Sequence, residues 1–267
     1  MPIRLILLDL DDTLLGKDLQ ISAANREALA RAGQRGVQVT LATGRMFRSM
    51  RPYAEILGLE LPLIAYNGAL ARPLAGTDLW HEPLAHATAQ ALLARLADHD
   101  VTVNLYLDDR LYVKELDRRA QAYAANAGVP AEPIGDLAAF LGDRAPTKML
   151  AMGAPDLLAG LRASLGAEFA GRAEIVTSKP HYLEIMAPNI SKAMALERLA
   201  AKLGLELSET MAIGDGPNDL GMLLQAGVGV AVGNAPPEVR ARVPRVVAPS
   251  DRDGVAEAVY KYILSEE

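Results

Sequence analysis

The sequence of 267 residues contains no cysteine. Disulfide bonds, thiolate metal sites and a cysteine nucleophile are therefore excluded, and a reducing compartment is expected. Long apolar runs are also missing, since no uninterrupted stretch approaches the roughly 20 residues that cross a bilayer. The first residues lead directly into a predicted strand, without the pattern of a signal peptide. We therefore expect a cytoplasmic protein that does not associate with membranes.

The chain also has few Phe and Trp residues and only a small net charge. There are three Phe and one Trp although 51% of the chain is apolar, so the core must consist mainly of Leu, Ala, Val and Ile. The formal charge is -6 and no basic stripe is visible, so nucleic acid is not an expected partner. The length suffices for one large domain or two modest ones, and composition leaves both a monomer and a homodimer open.

Strands and helices alternate in the first and last parts of the chain, a pattern typical of βαβ units and a parallel sheet. Ser22 is the predicted N-cap of the first helix, which Gly36 ends. Predicted strands lie at 3–8, 37–42, 63–66, 211–213, 228–232 and 245–247. Predicted helices lie at 22–35, up to about 57, at 191–203, 217–226 and 236–241, and from 254 onward.

The middle of the chain has a different pattern, with strands in closer pairs and period-two alternation of apolar residues. The predicted strands there are 101–107, 111–114, 148–152, 174–178 and 182–186, and the predicted helices are 88–97, 117–127 and 155–165. This favours an α+β module with a mostly antiparallel sheet. We therefore predict a doubly wound α/β domain, residues 1–82 plus 189–267, into which residues 83–188 are inserted.

Two acidic clusters directly follow predicted strands. Asp9, Asp11 and Asp12 follow the first strand, and Asp215 and Asp219 follow the strand at 211–213. The carboxyl ends of parallel strands share the edge where active sites form in open sheets, so the two clusters predict one divalent-metal site. Carboxylate and carbonyl oxygens are the ligands that Mg²⁺ prefers. The alternatives are a surface Asp cluster that merely ends a strand and, for Asp219, capping of the following helix.

Two further positions favour an anionic ligand. Thr43 and Gly44 lie between a predicted strand and a helix N-terminus, where a hydroxyl and free N–H groups form a phosphate cradle. Lys192 opens a predicted helix, where a cation opposes the helix dipole and therefore indicates an anionic partner. The alternatives are ordinary turn residues and a solvated lysine.

Taken together, these segments resemble the four ordered motifs of the haloacid dehalogenase superfamily of phosphatases. They are Asp9-Leu10-Asp11-Asp12-Thr13, Thr43-Gly44-Arg45, Lys192 and Gly214-Asp215-Gly216-Pro217-Asn218-Asp219. The single insertion resembles the cap of the Cof-type branch, subclass IIB, and so do Tyr66-Asn67-Gly68-Ala69 and Tyr182-Leu183-Glu184-Ile185. The resemblance implies a Rossmann-like core with an α+β cap that sets substrate specificity. Asp12 and Ala193 stand where this family commonly has Gly, and Tyr66 where a smaller residue is usual.

The resemblance also implies a role for each matching residue. Asp9 would attack phosphorus to form an aspartyl-phosphate, and Asp11 would act as general acid and base. Thr43 and Lys192 would hold the phosphoryl oxygens. Mg²⁺ would bind Asp9, the Asp11 carbonyl and Asp215, with Asp219 as a ligand or as support. The candidate substrate contacts are the Asp12 backbone N–H, Gly44, Arg45, Asn67 and Tyr182, and Arg48, Lys179 and His181 are further candidates.

We therefore predict a Mg²⁺-dependent phosphomonoester hydrolase acting on a small phosphorylated metabolite, either a sugar phosphate or a phosphorylated cofactor. Two alternatives remain open. One is a phosphomutase of the same fold, and the other is a regulatory module that binds a phosphometabolite without turnover. The complete set of candidate catalytic residues argues against the second.

Overall fold

A computed structural model describes residues 2–265. The chain forms two compact units. The core unit comprises Met1–Gly44, Met50–Leu79 and Ser191–Glu267, and the cap unit comprises Arg45–Ser49 and Trp80–Ile190. The predicted domain boundaries, after residues 82 and 188, fall within three residues of the ends of the long cap segment. The assignment of a catalytic role to one unit and a specificity role to the other stays a prediction.

The strands and helices have the following bounds. The strands are β1 (Leu5–Leu8), β2 (Gln38–Leu41), β3 (Leu63–Ala65), β4 (Leu70–Arg72), β5 (Trp80–His81), β6 (Thr102–Leu107), β7 (Arg110–Val113), β8 (Ala131–Pro133), β9 (Lys148–Met152), β10 (Glu174–Lys179), β11 (Tyr182–Met186), β12 (Thr210–Gly214) and β13 (Val228–Ala231). The helices are α1 (Ala23–Gln34), α2 (Phe47–Leu57), α3 (His86–Leu96), α4 (Arg118–Ala127), α5 (Leu137–Leu141), α6 (Pro155–Glu168), α7 (Lys192–Lys202), α8 (Leu220–Gln225), α9 (Pro237–Arg240) and α10 (Gly254–Val259). Within residues 2–265, no helix is long and apolar enough to span a membrane.

The core unit is built on a parallel sheet with the strand order β13-β12-β1-β2. All four residues of β1 are fully buried, as expected for a central strand covered on both faces. Leu8 pairs in register with Ile213 and with Leu41. The residues that follow β1, β2 and β12 therefore leave the sheet at one common edge. A parallel bridge between Ala42 and Ile64 continues the sheet towards β3.

Local signals account for several element ends in the core unit. Ser22 caps α1 by accepting a hydrogen bond from the N–H of Asn25 at 3.1 Å, as predicted. The prediction of a strand at 245–247 is wrong, because this segment forms only a single parallel bridge, between Val246 and Ala231. Prolines at 244 and 249, which lack an N–H donor, flank that short segment. The predicted helix at 217–226 begins later, at α8, because the preceding residues form a loop.

The cap unit contains a six-stranded sheet with the order β10-β11-β9-β6-β7-β8. Its pairs are antiparallel except β7 with β8, which agrees with the predicted pattern. Asp108 and Asp109 both have positive φ and form the tight turn between β6 and β7. One sheet face belongs to an apolar cluster with residues of α3, α5 and α6. Because side chains alternate along each strand, Tyr106, Lys148 and Glu184 belong to the opposite face.

Candidate active site

Asp9 is the first residue after β1 and its side chain is buried. Its backbone N–H donates to the carbonyl of Ile213 at 2.9 Å, so the neighbouring strand fixes its position. The following loop, Leu10–Leu14, is closed by a hydrogen bond from the Leu15 N–H to the Leu10 carbonyl at 2.9 Å. Asp12 in this loop adopts the left-handed backbone conformation, with φ of 57°, so the chain turns directly after Asp11. Asp11 therefore lies in the loop and not on the strand.

A second loop, after β12, carries Asp215 and Asp219. The carboxylate of Asp219 folds back onto the loop, where Oδ2 accepts the N–H of Asp215 at 3.0 Å and that of Gly216 at 2.8 Å. Gly214 makes this possible, because a Cβ there would lie 2.7 Å from the Asp219 side chain. Asp219 makes no side-chain cap to α8, so the capping alternative is wrong. Thr13 donates to Oδ1 of Asp215 at 2.9 Å and ties the first loop to the second.

Lys192 is the first residue of α7 and is 1% exposed. Its ammonium donates to Oδ1 of Asp219 at 2.5 Å and also to Oδ1 of Asp9. The partners of this ammonium are carboxylates of the protein, so the solvated-lysine alternative is wrong, while the anionic ligand stays a prediction. The start of α7 is held closely, since a Cβ on Gly68 would lie 2.5 Å from the Ser191 carbonyl oxygen. Only glycine fits this position, which also has φ of 113°.

Thr43, at the end of β2, is buried and lies beside the turn after β3. Its N–H donates to the Ile64 carbonyl and its carbonyl accepts the N–H of Asn67, both at 2.9 Å. Asn67 accepts a hydrogen bond from Nδ2 of Asn218 at 3.0 Å. Gly44 packs against the same side chain, since a Cβ there would lie 3.2 Å from Oδ1 of Asn67. Thr43, Gly44 and Asn67 therefore form one interlocked group.

Burial and mutual repulsion dominate the electrostatics of this edge. Burial, followed by the charge of Asp219, raises the pKa of Asp9 well above its usual range, although Lys192 opposes the shift. Burial and the same charge raise the pKa of Asp215 to about 7, while the hydrogen bond from Thr13 lowers it. Burial alone would lower the pKa of Lys192, but Asp219 and Asp9 more than offset this and raise it. One ammonium thus does not neutralise the carboxylates around it.

The three carboxylates fit a metal ion. One carboxylate oxygen from each of Asp9, Asp215 and Asp219 lies within 4.8 Å of the others. Hard oxygen ligands of this kind suit Mg²⁺ or Ca²⁺, and a divalent cation would relieve the repulsion that raises the pKa of Asp9 and Asp215. The donor set and its excess negative charge therefore both agree with a cation site.

The predicted substrate contacts Arg45 and Tyr182 belong to the cap unit, as do the further candidates Arg48, Lys179 and His181. The Arg45 guanidinium donates to the Ser49 hydroxyl at 3.4 Å. The Tyr182 ring lies 5.7 Å from that of Tyr123 and 4.4 Å from that of His181, measured between centroids. The core unit brings together the other predicted residues, which are Asp9, Asp11, Asp12, Thr43, Gly44, Asn67, Lys192, Asp215 and Asp219.

Comparison with known proteins decides the family. The family model described as haloacid dehalogenase-like hydrolase matches residues 6–259. The chain belongs to this family. Its predicted class, a phosphatase of the haloacid dehalogenase type, and its predicted fold class, an α/β core with an α+β cap, are thereby confirmed.

Relatives and solved structures cover nearly the whole chain. An HMP-PP phosphatase from Cronobacter sakazakii is 32% identical over 95% of this chain and 93% of its own length. A haloacid dehalogenase-like hydrolase from Bacteroides thetaiotaomicron has a TM-score of 0.88 and 29% identity, with 97% of this chain and 99% of that chain covered. The subclass IIB sugar phosphatase BT4131 has a TM-score of 0.85, with 97% and 98% covered. At 22% identity it supports the fold alone.

Two asparagines at this edge make contacts that were not predicted, Asn218 within the fourth motif and Asn234 outside every motif. Asn218 donates to Asn67, and Asn234 donates through Nδ2 to the backbone carbonyl of Asp12 at 2.7 Å. The rule that found the aspartates would also have found Asn234, because it follows β13 and that strand ends at the same edge of the sheet.

Proposed function

We propose that this chain is a Mg²⁺-dependent phosphomonoesterase that hydrolyses a small phosphorylated metabolite through an aspartyl-phosphate on Asp9. The observation that carries the proposal is the buried contact between Asp9 and Lys192 within a group of three carboxylates. A carboxylate nucleophile, a fixed cation and a cation site are the elements that phosphoryl transfer requires, because it depends on positioning and charge neutralisation.

In the first step, a carboxylate oxygen of Asp9 attacks the phosphorus of the ester. The bond from phosphorus to the leaving oxygen breaks, and the Asp11 carboxyl group gives its proton to that oxygen, which departs as an alcohol. Asp9 must be ionised to attack, and the adjacent ammonium of Lys192 favours the ionised form.

In the second step, a water molecule attacks the phosphorus of the aspartyl-phosphate. Asp11, now ionised, takes a proton from this water, and the bond from phosphorus to the Asp9 oxygen breaks. Inorganic phosphate leaves, and the Asp9 carboxylate and the protonated Asp11 are restored. The covalent intermediate divides one difficult displacement into two easier ones.

The phosphoryl oxygens are held by Lys192, the Thr43 hydroxyl and backbone N–H groups at Asp12 and Gly44, with Asn67 beside them. Lys192 is already fixed by two carboxylates, so little reorganisation is needed when charge develops.

Asp9, Asp215 and the Asp11 carbonyl would hold the metal. Asp219 acts as support, because Oδ2 accepts two backbone N–H groups and Oδ1 accepts Lys192. When bound, Mg²⁺ neutralises phosphoryl charge and orients the ester for in-line attack.

The substrate classes are sugar phosphates and phosphorylated cofactors. The name of an HMP-PP phosphatase, 32% identical to this chain, supports a small phosphorylated metabolite as the substrate. Arg45 and Tyr182 of the cap unit are the proposed contacts to the part of the substrate beyond the phosphate.

The experiment is phosphate release from p-nitrophenyl phosphate, with Mg²⁺ and with EDTA, for the wild type and Asp9→Asn. We expect EDTA to abolish turnover and Asp9→Asn to lower it at least about a thousandfold, because the amide is not a nucleophile. Glu209→Gln is the matched control, since Glu209 precedes β12 at the opposite end from Asp215 and should keep wild-type turnover.

Substantial turnover by a folded Asp9→Asn would exclude Asp9 as the nucleophile. If the wild type does not hydrolyse the aryl ester, a panel of sugar phosphates, phosphorylated cofactors and HMP-PP provides the test. Absence of phosphate release from every member of that panel would contradict the phosphatase proposal. Turnover that requires a bisphosphate activator would favour the phosphomutase.

A further inference from the structure

Asn234 bridges two segments of the core unit that are distant in sequence. Nδ2 donates to the Asp12 carbonyl at 2.7 Å, and Oδ1 accepts the N–H of Ser250 at 2.8 Å. The partners determine the orientation of the amide, because a carbonyl oxygen only accepts and a backbone N–H only donates. Asn234 thus connects the loop that carries Asp11 to the segment before α10.

The held carbonyl belongs to a residue in an unusual conformation. Asp12 has φ of 57° and ψ of 9°, which non-glycine residues adopt only at some energetic cost. Such a conformation persists where the surroundings fix it. The hydrogen bond from Thr13 to Asp215 anchors the loop on one side of Asp12, and the bond from Asn234 anchors the carbonyl of Asp12 itself.

The support behind Asn234 is close-packed. The N–H of Val232 donates to the Gly214 carbonyl at 3.1 Å, which ties the turn to the end of β12. A Cβ on Gly233 would lie 3.0 Å from the ring of Pro249, so this turn also packs against the segment that presents Ser250. Asn234 therefore extends from a fixed base towards the loop.

We propose that Asn234 is a positioning residue for the general acid and base, Asp11. By holding the Asp12 carbonyl, it fixes the peptide that follows Asp11 and thereby the place from which this carboxyl group protonates the leaving oxygen. The inference rests on the proposed function, since it assigns no chemistry of its own to Asn234.

The chemistry of the bridge requires a carboxamide. Aspartate has nearly the same shape but only acceptor oxygens at neutral pH, so it would repel the Asp12 carbonyl and keep only the bond from Ser250. Alanine would remove both bonds. Asn234→Asp and Asn234→Ala therefore test the same contact in two ways.

The experiment compares kcat/KM for phenyl phosphate and p-nitrophenyl phosphate, in Mg²⁺, for the wild type, both Asn234 variants and Asp11→Asn. The two esters differ little in shape, but p-nitrophenolate departs readily without a proton and phenolate does not. Since kcat/KM reports the steps up to departure of the leaving group, a misplaced acid affects phenyl phosphate more. We expect about a tenfold to hundredfold loss with phenyl phosphate and less than about a threefold loss with p-nitrophenyl phosphate.

Asn126→Asp, at an exposed position on α4, is the control for the added charge and should keep both values. Thermal unfolding of every variant shows whether the fold is intact. If the Asn234 variants do not fold, Ser250→Pro is the second test, because it removes the N–H that holds Oδ1. Pro249 has φ of -60° and ψ of 161°, an extended conformation that a following proline tolerates.

Equal losses with the two esters, or no loss, would overturn the inference. If Asp11→Asn shows the selective loss and the folded Asn234 or Ser250 variants do not, the inference is wrong while the proposed function stands. If the wild type hydrolyses neither ester nor any member of the substrate panel, the proposed function itself fails.

Discussion

Each unit of this protein buries a lysine against carboxylates, and the two sites differ in charge. In the core unit, the ammonium of Lys192 contacts Asp9 and Asp219, with Asp215 close by. In the cap unit, Lys148 donates to Glu184 at 3.0 Å and its ammonium lies 4.9 Å from the centre of the Tyr106 ring.

The difference shows what separates a site that can hold a cation from an internal ion pair. Three ionised carboxylates and one ammonium sum to -2 in the core site, whereas Lys148 and Glu184 sum to zero. Burial and this excess negative charge together raise the pKa values of Asp9 and Asp215, and the excess provides the reason for a divalent cation. A matched pair satisfies its own charges and gives no such reason.

The largest expected effects come from replacing each lysine by methionine. Either change removes the ammonium beside a buried carboxylate and should lower the free energy of unfolding by about 3 kcal/mol in EDTA. Lys192→Met should also lower turnover at least about a thousandfold, because the phosphoryl oxygens lose their fixed cation.

Urea unfolding with and without Mg²⁺ distinguishes the two sites. Mg²⁺ should stabilise Lys192→Met more than the wild type and Lys148→Met as much as the wild type, and equal gains for the two variants would break the comparison.

A smaller effect is expected for Asp215→Asn. The pKa of Asp215 is about 7 in the folded protein and about 4 when unfolded. The folded protein therefore retains a proton between these values, so stability falls as pH rises from 4 to 7 and the full cost remains above 7. A shift of about three pKa units corresponds to at most about 4 kcal/mol, and solvent reduces this value because Asp215 is only partly buried. In EDTA at pH 8, Asp215→Asn should therefore be more stable than the wild type by about 2 kcal/mol, and the difference should vanish near pH 4.

Saturating Mg²⁺ should reverse that order, because it stabilises the wild type by about 3 kcal/mol at a hundredfold excess over Kd and should bind the amide variant poorly. Urea titrations at pH 4, 6 and 8 provide the measurement. An unchanged Mg²⁺ response in Asp215→Asn would remove this residue from the metal site.

The smallest effect is expected at Thr13, which donates to Asp215. Thr13→Val keeps the shape but removes the donor, so the pKa of Asp215 should rise further and Mg²⁺ affinity should fall about tenfold by calorimetry. Thr40→Val is the matched control, because Thr40 is equally buried and donates to the Pro62 carbonyl at 2.7 Å, away from the carboxylates. A similar loss of affinity in both variants would show that core packing, and not the bond to Asp215, matters.

Much of the core unit was predictable from short-range patterns. An apolar run followed by carboxylates predicts a buried strand with polar residues at its carboxyl edge, and the register of β1 with β12 places Asp9 and Gly214 at that edge. The N-cap at Ser22 depends on a single side chain and its neighbours, so it too was found. The family resemblance assigned a role to each residue in advance, and those roles stay proposals.

Short elements and loop contacts were not predictable. Strand β8 and helix α5 were not predicted, because segments of three and five residues are too short to show apolar periodicity. Strand β8 is defined by its pairing with β7, a contact that local sequence does not reveal. The sequence did not decide whether Asp219 caps a helix or binds a metal, because both roles use the same carboxylate. The structure shows instead that it holds its own loop and Lys192.

The sequence by itself determined which residue types collect at one edge of the sheet, because strand periodicity and the direction of parallel strands follow from local chemistry. Only the tertiary structure decided which of them touch. Lys192 reaches Asp9 across 183 positions, and Asn234 reaches Asp12 across 222. Contacts over such separations depend on how whole strands and helices pack, since a hydrogen bond fails when its atoms are displaced by about an ångström. Charge composition thus marked the site, and packing determined its internal order.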